Sequence, residues 1–225
     1  MTEVVVDDPG PGQRLGTASR SRLRAELRKI GRDGGTCALL SVRADAWHHA
    51  PEVASYDADQ LAQPVVLEEF QSLVGQLFGL GVPVVAELDG AVSGLGLALA
   101  MAADLRVATP RTTLSLGDAS TAAALLGGST WLLTRAVGYA TVAHLAWTGE
   151  ALTSAVAEQR GLLSRVCDDR SAARRLAESL AAVPTPAASA LKRALTSRQR
   201  RDLEASLDYE SWLAGVTATA GDPRR

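Results

Sequence analysis

An α/β fold with a C-terminal helical region is predicted by two patterns and by the punctuation between them. Short apolar, β-branched runs alternate with helix-patterned stretches through the first half of the chain, and the second half is mainly helical. Glycines and prolines mark the joints, as at Gly79, Gly81 and Pro83. Strand–helix alternation of this kind expects right-handed crossovers in a mostly parallel sheet.

The elements follow in order. Residues 4–6 are a valine strand, and Pro9-Gly10-Pro11-Gly12 reads as a turn, not as a linker between domains. Residues 23–30 have helical spacing and residues 37–42 are a second strand-like run, whereas residues 43–64 carry no clear pattern. Residues 65–80 predict a helix that stops at Gly79 and Gly81 and delivers the chain to a strand at 84–88. Ser93-Gly94-Leu95-Gly96 then opens an Ala-rich helix, followed by a strand at 105–108. Residues 141–147 are a further Ala-rich helix, 162–166 a short late strand, and 172–183 a helix closed by Pro184 and Pro186. No internal repeat is present.

At 225 residues the chain is long enough for one substantial core, so a single domain over 1–225 is the economical count. Its net charge of -2 offers no footprint for nucleic acid. The acidic start lacks a basic-then-apolar signal segment, and no apolar stretch has the length of a membrane span, so the expectation is a cytoplasmic protein without a membrane partner. Cys37 and Cys167 lack CxxC spacing and read as buried or free thiols, not as a disulfide or zinc frame.

Residues 83–118 carry the densest signal. The turn at Gly94-Leu95-Gly96 leaves backbone N–H groups without intrahelical partners, backed by the positive end of the helix dipole. Such groups stabilise an oxyanion developing on a thioester carbonyl. A Gly-x-Gly pair also arises where a helix packs closely on a strand and only glycine fits, and the turn alone leaves both readings open. Asp118 ends the run. It is either an acid/base or, in the turn pair Gly117-Asp118, the N-cap of a helix beginning near Ala119.

Taken in order, residues 83–88, Asp89-Gly90, Gly94-Leu95-Gly96, Asp104-Leu105-Arg106-Val107-Ala108 and Ser115-Leu116-Gly117-Asp118 resemble the crotonase (enoyl-CoA hydratase/isomerase) family. Gly138-Tyr139, Thr148-Gly149-Glu150 and residues 158–166 resemble its later segments, and 184–195 and 203–212 its closing helices. The resemblance implies a crotonase-like ββα spiral core over about residues 1–165 and C-terminal helices over about 166–225. It implies Leu95 as an oxyanion-hole N–H donor, Gly94 and Gly96 as substrate-binding turn residues, and Asp118 as the catalytic acid/base. Family hydratases use two carboxylates, and here the first position is Ala98. A lone acid still serves dehydration, isomerisation or decarboxylation. The family's usual Glu is also replaced by Asp118, retracting the carboxylate by about an ångström, a misplacement of a size that can cost about 10²-fold in rate.

Asp89-Gly90-Ala91-Val92-Ser93 and Thr109-Pro110-Arg111-Thr112-Thr113 carry a narrower likeness, to the crotonases of polyketide β-branching. Those enzymes dehydrate 3-hydroxy-3-methylglutaryl groups on an acyl carrier protein, and their turn also lacks an acid at the position of Ala98. The likeness breaks at residues 120–128, which replace their Trp-Gly-Leu-Leu-Pro-like stretch.

The second oxyanion donor falls on Ala44 or on His49, depending on how the loop after residue 42 is matched. His48 and His49 beside Trp47 are either an acid/base pair near neutrality or a polar loop, and with no third ligand at a recognisable spacing no metal site is expected. His144 reads as packed or capping. Lys192, Arg193, Arg198, Arg200 and Arg201 cluster on a helix and loop. The resemblance makes Lys192 the phosphate-binding residue for the carrier, against the alternative of a solvated helix face. No cofactor is implied beyond coenzyme A or phosphopantetheine as substrate carrier. The partners implied are acyl-CoA or acyl carrier protein and further copies of the chain, as a homotrimer or hexamer. Three readings stand: a lyase dehydrating a 3-hydroxyacyl thioester in polyketide assembly, an isomerase or hydratase of acyl metabolism, and a non-catalytic partner subunit.

Overall fold

The structure, a computed structural model, describes residues 1–6, 17–42, 64–116, 127–169 and 171–220. In chain order its elements are β1 (Thr2–Val6), α1 (Thr17–Asp33), β2 (Ala38–Val42), α2 (Pro64–Phe78), β3 (Val84–Leu88), β4 (Ala91–Ser93), α3 (Gly94–Ala102), β5 (Leu105–Ala108) and β6 (Thr113–Ser115). Then come α4 (Ser129–Val137), α5 (Tyr139–Thr148), β7 (Leu152–Thr153), α6 (Ser154–Gln159), β8 (Arg165–Val166), α7 (Ala172–Ala181) and α8 (Thr185–Ala220).

Strands β1-β2-β3-β5-β8 form one sheet, every pair parallel, as the strand–helix alternation predicts. Its central strands are mostly apolar because both faces are covered, with single polar residues such as Ser41, Glu87 and Arg106 among them. Ala38, Leu40, Val84, Ala86 and Leu88 face the main core with Leu23 and Leu27 of α1 and Leu73 and Leu77 of α2. The alternate residues Cys37, Leu39, Val85 and Val107 face Ala173 and Ala177 of α7. Small alanines on α7 let that helix lie close to the sheet.

A second sheet, β4-β6-β7, pairs β4 with β6 in parallel and β6 with β7 in antiparallel. Sequence patterning does not reveal it, because strands of two or three residues are too short to show a period. The two closing helices expected at 184–195 and 203–212 are one continuous helix, α8, of 36 residues. Residues 196–202 contain no Gly or Pro to break it. The helix lies across α2 and α4, with Leu203 and Leu207 buried in the main core. Among the described residues no helix is long and apolar enough to cross a membrane.

Candidate active site at the glycine turn

The chain leaves β3 through Asp89-Gly90, crosses to the second sheet as β4, and turns into α3. Ser93 is buried and extended (φ -149°, ψ 167°), and its hydroxyl caps none of the helix's first N–H groups. Gly94 follows at φ +51°, a left-handed conformation open to glycine, while a Cβ there would meet nothing within 4 Å. Backbone conformation, and not close packing, therefore requires glycine at 94. The N–H groups of the first turn, Leu95 among them, lack intrahelical partners and stand at the positive end of a helix with almost no polar side chain. Unpartnered N–H groups at a helix N-terminus are a favourable place for negative charge.

Strand register places a second chain segment beside this turn. β4 and β6 are parallel with Ser93 opposite Ser115, so the chain leaves both strands at the same end of the small sheet. One exit becomes the glycine turn and the other leads through Leu116 toward Asp118. Asp118 itself lies outside the described residues, as do Ala44 and His49, the alternatives for the second donor, and His48. Ala98 is fully buried in α3 between Leu97 and Leu99, so the helix bears no carboxylate at that position.

Lys192 does not stand in a solvent-facing basic cluster. It is 6 % exposed, and Nζ donates to Val82 O at 2.9 Å and Asp104 Oδ2 at 2.7 Å. Asp104 also accepts the Val84 N–H at 2.7 Å. These groups sit where β3 and β5 begin, whereas the glycine turn lies beyond where β3 ends, so Lys192 is a staple at the opposite edge of the sheet. Burial lowers its pKa from the ordinary lysine value, and Asp104 opposes that shift. Arg193, Arg198, Arg200 and Arg201 are exposed on α8. Arg106 is structural too: it donates to Leu162 O and, at 2.7 Å, to Ala103 O, tying β5 to the turn before β8. His144 is exposed and pairs with Glu150 at 2.9 Å, not packed in the core. Among the described residues no group of three His, Cys, Asp or Glu side chains could hold a metal ion.

Glu210 is the buried acid that sequence reasoning missed. It is 3 % exposed on α8, and its carboxylate accepts the Gly128 N–H at 2.8 Å and the Thr130 hydroxyl at 2.6 Å, capping α4. Burial pushes it up to about 7, against the lowering effect of those two bonds. No local motif announces it, because its partners lie about eighty residues earlier in the chain.

The chain is similar to known proteins in sequence and in fold. Residues 54–222 match the family described as enoyl-CoA hydratase/isomerase. The 1,2-epoxyphenylacetyl-CoA isomerase of Escherichia coli is 31% identical over 158 residues, 69% of this chain and 60% of that protein. The trans-2-decenoyl-acyl-carrier-protein isomerase of Streptococcus mutans is 35% identical over 113 residues, 50% of this chain and 43% of that protein. The chain thus spans less than two thirds of the length of these relatives. A crystal structure of enoyl-CoA hydratase from Bacillus halodurans shares the fold, with a TM-score of 0.78 at 19% identity, over 96% of this chain and 91% of the other.

Proposed function

Because the chain belongs to the enoyl-CoA hydratase/isomerase family, the crotonases, we propose that it is an enzyme that performs single-acid chemistry on an acyl thioester. The observation that carries the reading is the pairing of the left-handed Gly94 turn with a fully buried Ala98 on the same helix. The turn offers N–H groups to a thioester oxygen, and the helix behind it offers no second carboxylate. Hydration by two carboxylates, one holding water and one handling the α-proton, has no first member here.

In the reaction proposed, the Leu95 N–H and a second donor, at Ala44 or His49, receive the charge that builds on the thioester oxygen when the α-proton leaves. Asp118 takes that proton. It then returns the proton to the departing 3-hydroxyl, so that the C–O bond breaks as the double bond forms and water leaves. The favoured substrate is a 3-hydroxyacyl group on coenzyme A or acyl carrier protein, in the manner of polyketide β-branching, which the residues at 89–93 and 109–113 resemble. A second reading is double-bond isomerisation, in which Asp118 returns the proton to a different carbon. It is favoured by the Streptococcus mutans relative, which is named as an isomerase of a trans-2-decenoyl group on acyl carrier protein. Assembly as a trimer or a pair of trimers belongs to the same proposal.

The test offers purified protein 3-hydroxy-3-methylglutaryl-carrier protein, a 3-enoyl-CoA and crotonyl-CoA, each with wild type and Asp118→Ala. Water loss from the carrier substrate that disappears in the variant supports dehydration, and turnover of the 3-enoyl-CoA alone moves the assignment to isomerisation. Unchanged turnover in Asp118→Ala removes that residue from the mechanism.

A further inference from the structure

Two arms of the proposed thioester site leave the large sheet side by side. β3 runs into Asp89-Gly90, β4 and the glycine turn, while β5 runs into Thr109-Pro110-Arg111-Thr112 and β6, whose exit leads toward Asp118. Both arms change sheets at the same place, and β4 and β6 are only three residues each. Ladders that short hold little register of their own.

A network of hydrogen bonds supplies what the ladders lack. Arg111 donates to both carboxylate oxygens of Asp89, and the Thr109 hydroxyl donates to Asp89 Oδ1 at 2.7 Å. The Thr109 N–H reaches Leu88 O at 3.1 Å, the Thr113 N–H reaches Gly90 O at 3.1 Å, and the Thr112 hydroxyl reaches Leu88 O at 3.2 Å. Every bond crosses from one arm to the other. Asp89 is the hub: its carboxylate is the side-chain acceptor on the first arm, and a bidentate guanidinium contact fixes orientation as well as distance.

We propose that Asp89 is a positioning residue of the thioester site, clamping the arm that carries the glycine turn to the arm that leads to the acid. The proposal rests on the thioester reading above. A clamp of this kind acts on geometry more than on stability, since Arg111 is 65 % exposed and ion pairs open to solvent add little to folding. Loss of the clamp therefore separates kcat from thermal stability, which the loss of a merely structural contact would not do.

The experiment uses crotonyl-CoA and crotonyl-pantetheine labelled with ¹³C at the thioester carbonyl, and follows the carbonyl stretch by infrared difference spectroscopy beside turnover of the best substrate. Wild type lowers the carbonyl frequency on binding. Asp89→Ala loses most of that shift and about 10²-fold in kcat with KM nearly unchanged, while thermal unfolding stays close to wild type. Asp89→Asn keeps an acceptor for Thr109 and recovers part of both losses. Should Asp89→Ala fail to fold, Arg111→Met opens the clamp from the other side, with the same loss of shift expected. A carbonyl shift equal in wild type and in the variants overturns the clamp and leaves the thioester reading standing. No shift in the wild type with either labelled ligand overturns the thioester reading and the clamp together.

Discussion

Glu210→Gln is expected to stabilise the protein at alkaline pH and to leave it unchanged in acid. The carboxyl is 3 % exposed, and burial raises it from 4.5 to about 7. The folded protein therefore holds the proton more tightly than the unfolded chain. The stabilising contribution of the neutral acid is complete below about pH 4.5, falls as pH rises through about 7, and is gone above it. At about 1.4 kcal/mol per unit, a shift of this size is worth about 3 kcal/mol between the two ends of that window. Gln has the shape of the neutral acid, and its amide can accept the Gly128 N–H and donate to Thr130 Oγ1. Urea titrations at pH 4 and pH 8 measure the effect: the two proteins should nearly coincide at pH 4, and the variant should gain about 3 kcal/mol at pH 8. In thermal unfolding the same gain is about 6–12 °C for a chain of this size. A variant less stable than wild type at pH 8 refutes the reasoning, since the charged bonds to Gly128 and Thr130 would then outweigh the cost of burying the charge.

Three further substitutions separate structural from functional positions. Lys192→Met should destabilise by about 1–3 kcal/mol, leaving Asp104 and Val82 O without their cation, while KM for a CoA substrate stays unchanged; a raised KM would return Lys192 to the carrier site. Gly94→Ala should cost about 1–2 kcal/mol from its left-handed backbone, with no clash, and at least about 10²-fold in turnover. Gly128→Ala adds to a similar strain a Cβ 2.7 Å from Leu203 Cδ1, so its loss of stability should exceed that of Gly94→Ala by about 1–3 kcal/mol, read by the same urea titration.

What could be read from the sequence follows from the range of the forces involved. Strands β2, β3 and β5 are covered on both faces, and burial leaves mostly apolar runs with short breaks at Ser41, Glu87 and Arg106. Helix α3 is legible for a similar reason, since it consists of Gly, Ala, Leu and Met alone. The second sheet is not, because Leu152–Thr153 or Thr113–Ser115 alone cannot display alternation. The charged run at 196–202 resembles a loop in composition, yet it contains no helix breaker and α8 passes straight through it. Lys192 and Glu210 each look like the polar face of a helix. Their burial depends on Asp104 and on Gly128 and Thr130, which lie about eighty to ninety residues away, and no local pattern records such a meeting.

The direction of the parallel strands divides the family signature into two parts that sequence presents as one. Asp104 stands where β5 begins, and with Lys192 and the Val84 N–H it closes the sheet at that edge. Asp89 stands where β3 ends, and with Thr109 and Arg111 it holds the edge from which the glycine turn departs. In open α/β sheets ligands gather beyond the carboxyl ends of the strands, so the two aspartates are not equivalent although both belong to the same motif run. The pair of buried Lys192 and partly exposed Asp104 ties α8 to the start of β3 and β5, and its loss is read by denaturation. The clamp proposed at Asp89 would set where two short arms sit once the sheet has formed, and its loss would be read at the thioester carbonyl.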